Sequence, residues 1–90
     1  MTKADLINEA SIATGYDKKT INVIFEDFMS RIRSSVVKGE AVYLRGFGTF
    51  TTKTRAEKVA RNISKNTSVV VPEHKIPYFK PAAEFAKEVF

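Results

Sequence analysis

Cysteine and tryptophan are absent from this 90-residue chain, and histidine occurs once. Without cysteine there can be no disulfide, and a single histidine leaves too few ligands for a zinc site or a hydrolytic triad. The carboxylates are scattered and form no convincing acid–base pair. No apolar run is long enough for a signal peptide or a membrane span. We therefore expect no enzymatic activity, no metal, no cofactor, no small-molecule substrate and no membrane partner.

Positive charge, in contrast, is abundant. The chain has 15 Lys and Arg against 10 Asp and Glu, which gives a net charge of +5. Residues 53–75 alone contain six basic and two acidic side chains and lack the apolar content of a core. Such a concentration of charge indicates a polyanionic partner, nucleic acid before an anionic surface.

Two helices are predicted in the N-terminal half. Thr2 is placed to cap the first, with Asp5 in its first turn, and Gly15 is placed to end it. Asp17 is the expected N-cap of the second helix, which Gly39 ends.

The second helix has the strongest apolar periodicity in the chain. Its apolar side chains fall on one stripe, which predicts packing in a core and a dimer interface and not reading of DNA bases. The stripe consists of Ile21, Ile24, Phe25, Phe28, Ile32 and Val36.

Strands are predicted after the second helix. A short strand over 41–44 is followed by a turn over 45–48, in which the glycines permit positive φ. A threonine-rich strand is then expected from Thr49 to about Ala60, without an alternating core face in its second half.

The C-terminal third is predicted to return along this strand. A polar turn over 62–67 leads to a strand over 68–76, in which Pro72 requires an edge or a bulge. Pro81 suits the first turn of a closing helix over 82–89.

Together these elements predict a single α+β domain over 1–90. A helical hairpin base, a three-stranded antiparallel sheet and a short C-terminal helix form a body from 1–52 and 76–90, and 53–75 project from it as a two-stranded ribbon, here called the arm. A body of this size is marginally stable alone. We therefore expect a homodimer with a shared core and little folded monomer.

The arm has the dimensions of a duplex-binding element. About ten residues per strand at roughly 3.3 Å each give a reach of about 30 Å, enough to follow a groove of DNA. Lys53, Arg55 and Arg61 share one strand parity and Lys58 has the other, so that phosphates on both groove walls can be contacted.

Ile63 is an apolar residue near the arm tip, where no core can reach it. Architectural proteins insert such a side chain between base steps and kink the duplex, and Ile63 is predicted to do so. The alternative is a cross-strand partner for Val69 or Val71 that stiffens the arm.

Other partners fit the pattern less well. Duplex RNA has a deep, narrow major groove that suits a ribbon with a wedge poorly. Single-strand binders stack bases on aromatic side chains, and 53–75 contain none. Val69–Val71 could add a strand to a protein partner, although the charge of the arm disfavours this.

Several motifs, in this order, make the chain resemble the bacterial histone-like HU and integration host factor family over essentially its full length. They are Gly46-Phe47-Gly48-Thr49-Phe50, Arg55-Ala56-Glu57, Arg61-Asn62, Ile76-Pro77 and Phe79-Lys80-Pro81. The resemblance is closest to HU-type proteins. It implies a cytoplasmic, nucleoid-associated, intertwined homodimer. The two arms of this dimer would wrap, bend and compact double-stranded DNA through the minor groove with little sequence specificity. A paralogous partner, as in site-specific integration host factor, stays open.

Carried over by position, the resemblance assigns Arg55, Lys58, Arg61 and Asn62 to the minor groove and its phosphates, and Phe47, Phe50 and Phe79 to the shared core. The remaining site residues come from the charge and apolar patterns described above. The family usually has proline beside the Arg-Asn pair, where this chain has Ile63. The predicted DNA contacts are Lys53, Arg55, Lys58, Arg61, Asn62, Ile63, Lys65, Lys75 and Lys80, and the predicted dimer core is Ile24, Phe25, Phe28, Ile32, Phe47, Phe50 and Phe79.

Overall fold

The computed structural model describes residues 1–62 and 67–90, with side-chain environments for 1–59 and 68–90. The predicted α+β fold is confirmed: three helices and five strands form in these residues. They group into two compact units, Met1–Ser34 and Ser35–Phe90, each of which is described separately.

Local capping chemistry sets the bounds of the first helix, α1 (Lys3–Thr14). The Asp5 backbone N–H donates to Thr2 Oγ1, and Asp5 Oδ2 accepts from the Thr2 backbone N–H in return, which forms a complete capping box. At the other end Gly15 adopts φ 82° and donates to the Ser11 carbonyl. Ile7 on this helix is the one hydrophobic side chain that is buried within the described part of the chain.

The second helix, α2 (Lys18–Val37), begins at the predicted cap. Asp17 Oδ1 accepts from the Thr20 backbone N–H at 2.7 Å. That hydrogen bond stabilises the carboxylate and lowers the pKa of Asp17. Gly39 follows the helix at φ 85° and donates to the Val36 carbonyl, as expected of a C-terminal glycine.

Five strands follow: β1 (Val42–Leu44), β2 (Gly48–Arg55), β3 (Lys58–Asn62), β4 (Thr67–Val71) and β5 (His74–Pro81). One antiparallel sheet has the order β1-β2-β5, and β3 and β4 pair as a two-stranded sheet. The two sheets share one register, because Arg55 pairs with His74 and, three residues further along, Lys58 pairs with Val71. The ribbon therefore continues through its interruption without an inserted residue.

The two long strands predicted from the sequence were wrong in one respect, because the structure divides each of them into two shorter strands. Ala56 and Glu57 separate β2 from β3, and Pro72 and Glu73 separate β4 from β5 directly opposite. Pro72 lacks the N–H that a ladder requires, so pairing stops where it was expected to be disturbed.

The prediction was also wrong about the end of the return strand. The return strand continues beyond residue 76 to Pro81 and includes Pro77. This is possible because β5 pairs only with β2 in its sheet and has a free edge, where a missing N–H removes no hydrogen bond. Pro81 therefore ends a strand instead of starting a helix, and α3 (Ala83–Val89) begins after Ala82.

Four phenylalanines form an aromatic cluster in the second unit. Phe79 lies 4.8 Å from Phe50 and 5.1 Å from Phe47 between ring centroids, and Phe85 of α3 stacks on Phe47 at 5.4 Å. The Ala82 N–H donates to the Phe47 carbonyl and fixes the start of α3 against the turn. These contacts hold β2, β5 and α3 together as one support for the ribbon. Among the described helices none is both long and apolar enough to span a membrane.

Candidate nucleic-acid interface

Register decides which side chains share a face, because residues directly opposite in paired strands point the same way. Thr49 pairs with Lys80, Thr51 with Tyr78, Lys53 with Ile76 and Arg55 with His74. Tyr43 of β1 pairs with Thr49 and joins them. The face that these side chains form is called here the outer face: Tyr43, Thr49, Thr51, Lys53, Arg55, His74, Ile76, Tyr78 and Lys80.

Three of the predicted DNA contacts, Lys53, Arg55 and Lys80, lie on the outer face and are exposed. Lys80 belongs to the body, and Arg55 is the last residue of β2, next to the interruption of the ribbon. The three cations therefore extend along the sheet. The two ion pairs formed by the described residues, Lys3–Glu26 and Arg31–Asp27, are both between helical residues. The charges of the three cations are thus available to an external anion.

Two further predicted contacts lie outside the outer face, and Lys75 points to the opposite side of the sheet. Lys75 pairs with Thr54 and shares the face of Phe50 and Phe79, beyond those rings. Lys58 in β3 pairs with Val71, and both are exposed. Cations on both faces of a ribbon can reach phosphates on both walls of a groove.

The tip of the arm is described only in part. Arg61 and Asn62 belong to β3, where they pair with Ser68 and Thr67. Ile63, the predicted wedge, and Lys65 lie outside the described residues.

The register also bears on the alternative role of Ile63. Val69 pairs with Ala60 and Val71 with Lys58, so both valines have other residues directly across the ribbon.

The face opposite the outer face holds the predicted core aromatics. Phe50 and Phe79 pair directly, and Phe47 packs against both from the turn. Gly48 is buried beside them at the start of β2, with the Leu44 backbone as its other neighbour in the sheet.

Of the two glycines placed in the predicted turn over 45–48, Gly46 adopts positive φ, at 79°. Gly48 is instead an ordinary strand residue. A Cβ built on it would lie 2.6 Å from the Lys80 carbonyl oxygen and 2.6 Å from ring carbons of Phe79. Glycine is required here because two strands and a ring approach closely.

The other predicted dimer-core residues lie on α2. Phe25 and Ile32 are half-buried, whereas Ile24 and Phe28 are 51% and 61% exposed. Large apolar side chains clustered on a helix at this exposure are typical of a surface that another chain covers.

Sequence reasoning missed two sets of side chains that lie next to the predicted DNA contacts Lys53 and Lys80. Lys53 Nζ lies 5.2 Å from the centroid of the Tyr78 ring, a cation–π contact between β2 and β5. Arg45 and Lys80 line one open hollow of about 340 Å³ together with Tyr43 and Thr49. Neither pairing follows from charge or periodicity, because each joins segments far apart in sequence.

His74, the first residue of β5, is exposed. Its Nδ1 donates to the Pro72 carbonyl at 2.9 Å, so the ring anchors the backbone at the interruption. Within the described residues no group of three His, Asp or Glu side chains is placed to hold a metal ion.

Comparison with known protein families gives one assignment over the whole chain. A sequence model of the family described as bacterial DNA-binding protein matches residues 1–89. DNA-binding protein HU of Thermotoga maritima is 32% identical over 89 residues, which cover 99% of both chains. Integration host factor subunit alpha of Actinobacillus pleuropneumoniae serotype 5b is 33% identical over 89 residues, which cover 99% of this chain and 91% of that protein.

Solved structures agree with this assignment. A cocrystal structure of Anabaena HU with DNA superposes with a TM-score of 0.92 at 26% identity, over 99% of this chain and 97% of that one. HU from Thermotoga maritima superposes with a TM-score of 0.71 over the full length of both chains at 24% identity, which supports the fold.

Proposed function

The chain belongs to the bacterial DNA-binding protein family that contains HU and integration host factor, and on this premise we propose that it is an architectural DNA-binding protein. It binds double-stranded DNA through the minor groove with little sequence specificity, bends it and compacts it. The observation that carries the proposal is the outer face: a ribbon in one continuous register whose exposed cations, Lys53 and Arg55, lead onto Lys80 of the body. The similarity to Anabaena HU, which was crystallised with DNA, supports the same partner.

The proposed mechanism separates positioning from bending. Lys53, Arg55 and Lys80 hold phosphates from one face of the ribbon, and Lys58 and Lys75 hold them from the other. These contacts neutralise charge without reading bases, which accounts for low sequence specificity. Arg61, Asn62 and Lys65 extend the set toward the tip, where Ile63 remains a predicted wedge that unstacks a base step and kinks the duplex.

A second copy of the chain completes the proposed assembly. Among the described hydrophobic side chains only Ile7 is buried within one copy, and the exposed Ile24 and Phe28 on α2 are available for a second chain to cover. In a homodimer these side chains, with Phe25, Ile32 and the aromatic core of Phe47, Phe50 and Phe79, form a shared interior. The two arms then engage one duplex together.

Phe28→Ala tests the shared interior. Truncation of a Phe that becomes buried in a dimer costs about 3–5 kcal/mol, so the thermal midpoint should fall steeply and depend strongly on protein concentration. Circular dichroism melts over a hundredfold range of concentration measure both effects. Ile12→Ala is the matched control, because Ile12 is 76% exposed on α1, away from the stripe, and its truncation should change little. A Phe28→Ala protein that melts like the unaltered chain, or a folded monomer in ultracentrifugation, contradicts the dimer.

A gel-shift series at two salt concentrations tests the function itself. Each phosphate contact contributes about −0.9 to the slope of log affinity against log salt for duplex DNA. Affinity for linear duplex DNA should therefore fall by about 10³ or more between 50 and 200 mM salt if six or more cations engage phosphates. Duplex RNA of the same length should bind more weakly. A flat salt response would remove the electrostatic basis of the proposal, and tighter binding to RNA would favour an RNA-binding role.

A site-specific bender is the second candidate, and the 33% identity to an integration host factor subunit alpha favours considering it. Unrelated duplexes of equal length separate the two functions. The architectural role predicts affinities within about tenfold of one another, whereas specific readers prefer their site by about 10³ or more. A preference that large, or one that appears only with a paralogous chain added, would support the second candidate.

We also propose that the protein acts in the cytoplasm, on the nucleoid, and that it has no enzymatic activity. Membership of a family of DNA-binding proteins supports both statements, and the scattered carboxylates of the sequence support the second.

A further inference from the structure

Two tyrosines on the outer face have no part in the function proposed so far. Tyr43 on the edge strand β1 is 78% exposed, and Tyr78 on β5 is 39% exposed. The register places them two residue positions apart along the sheet, with β2 between their strands. They are therefore separated by roughly 10 Å across the sheet and about 7 Å along it.

Each tyrosine has cations beside it. Tyr43 lines the hollow of about 340 Å³ together with Arg45 and Lys80. Tyr78 has Lys53 Nζ 5.2 Å from its ring centroid. The small side chains of Thr49 and Thr51 pair with Lys80 and Tyr78 and lie between the two tyrosines. The outer face thus presents two aromatic rings with only small side chains between them, and each ring has a positive charge next to it.

This combination matches single-stranded nucleic acid better than a paired duplex. Bases stack on exposed aromatic rings only when they are unstacked from their neighbours, and each base in a single strand carries a phosphate that a nearby cation can hold. A closed duplex offers its phosphates to such a face but keeps its base planes inside. A ligand that offered only its phosphates would leave the largely exposed ring of Tyr43 with no base to stack on it.

We propose that the outer face is a stacking platform for unpaired bases, in which Tyr43 and Tyr78 each receive one base of a single strand while Arg45, Lys53 and Lys80 hold its phosphates. The inference rests on the proposed nucleic-acid binding and adds a second class of substrate to it. The aromatic residues that 53–75 lack are thereby supplied by the sheet on which the arm stands.

The test compares variants for binding to labelled oligothymidine, whose bases stack weakly on one another, and to a duplex of equal length. Tyr43→Leu and Tyr78→Leu should each lower affinity for oligothymidine by about 5-fold to 100-fold and change duplex affinity by less than about threefold. Tyr43→Phe and Tyr78→Phe should restore single-strand binding, because the ring is kept. Tyr16→Leu is the matched control, since Tyr16 is 66% exposed but lies in the other unit, and it should change neither affinity.

Intrinsic fluorescence gives a second readout, because the chain has three tyrosines and no tryptophan. Oligothymidine should quench tyrosine emission in the unaltered protein and in Tyr16→Leu, and quench it less in Tyr43→Leu. Tyr43→Leu alone carries the test if Tyr78→Leu fails to fold, because Tyr43 is so exposed that its removal should not disturb the core.

Several results would overturn the inference. Unchanged oligothymidine binding, equal losses on single strand and duplex, loss of binding in the Phe variants, or loss of self-association in Tyr43→Leu would each do so. An unaltered protein that binds duplex but not oligothymidine also refutes the platform and leaves the proposed function intact. If it binds neither, the proposed function itself fails.

Discussion

Gly48→Ala is expected to lower the thermal midpoint by about 15 °C or more, or to prevent folding altogether. The added Cβ would lie 2.6 Å from the Lys80 carbonyl oxygen and equally close to two carbons of the Phe79 ring. Neither neighbour can move freely, because Lys80 belongs to the β2–β5 ladder and Phe79 is packed between Phe47 and Phe50. Overpacking of about 3 kcal/mol shifts the midpoint of a domain of this size by roughly 12–24 °C.

Gly39→Ala is the matched control for this prediction. Gly39 has φ 85° and nothing within 4 Å of a built Cβ, so alanine there meets backbone strain but no clash. That strain costs about 1–2 kcal/mol, so Gly39→Ala should be clearly the milder change. Both melts must be run at one protein concentration, since the midpoint of a dimer depends on it. Equal shifts in the two variants would show that the close approach at Gly48 does not matter.

Neutralising the cations of the outer face should have the largest effect on DNA binding. In the triple variant Lys53→Gln, Arg55→Gln, Lys80→Gln, each protomer loses three side chains proposed to hold phosphates. Three contacts correspond to a change in salt slope of about 2.7 and, near physiological salt, to an affinity loss on the order of 100-fold. Both arms of a dimer on one duplex would increase both effects. Fluorescence anisotropy with a labelled duplex at several salt concentrations measures the affinity and the slope together.

The control variant for this prediction removes the same number of positive charges from a different part of the chain. Lys18→Gln, Lys19→Gln, Arg33→Gln removes three exposed cations from α2 and should alter duplex affinity by less than about tenfold. A loss as large as that of the outer-face variant would mean that total charge, and not its placement, governs binding. All six side chains are exposed, so neither triple variant should unfold the protein.

The helices were predictable because their signals are local. Thr2 with Asp5, Asp17 with Thr20, and the glycines at positions 15 and 39 act within four residues of the helix ends that they fix. The charge of 53–75 and the motifs that link the chain to its family are likewise readable without coordinates. Strand existence was predicted for the same reason, whereas strand ends were wrong at Ala56–Glu57 and at Pro77–Pro81.

Proline and glycine show why those strand ends were missed. Pro77 is compatible with a strand only because β5 has a free edge, and the sequence does not say which strand lies at an edge. Gly48 was assigned to a turn because two glycines within three residues are typical of turns. Its structural role comes from Lys80 and Phe79, more than thirty positions away in the chain.

The sequence by itself determined the helices, the excess of positive charge in 53–75, the family, and hence the class of partner. Only the tertiary structure decided that Lys53, Arg55 and Lys80 share one face with Tyr43 and Tyr78, while Lys75 points to the other. The physical reason is that side chains alternate between the two faces of a strand, and this alternation determines only which residues of that one strand share a face. Which face of a distant segment joins it depends on register, and register is set by the packing of both strands against a common core.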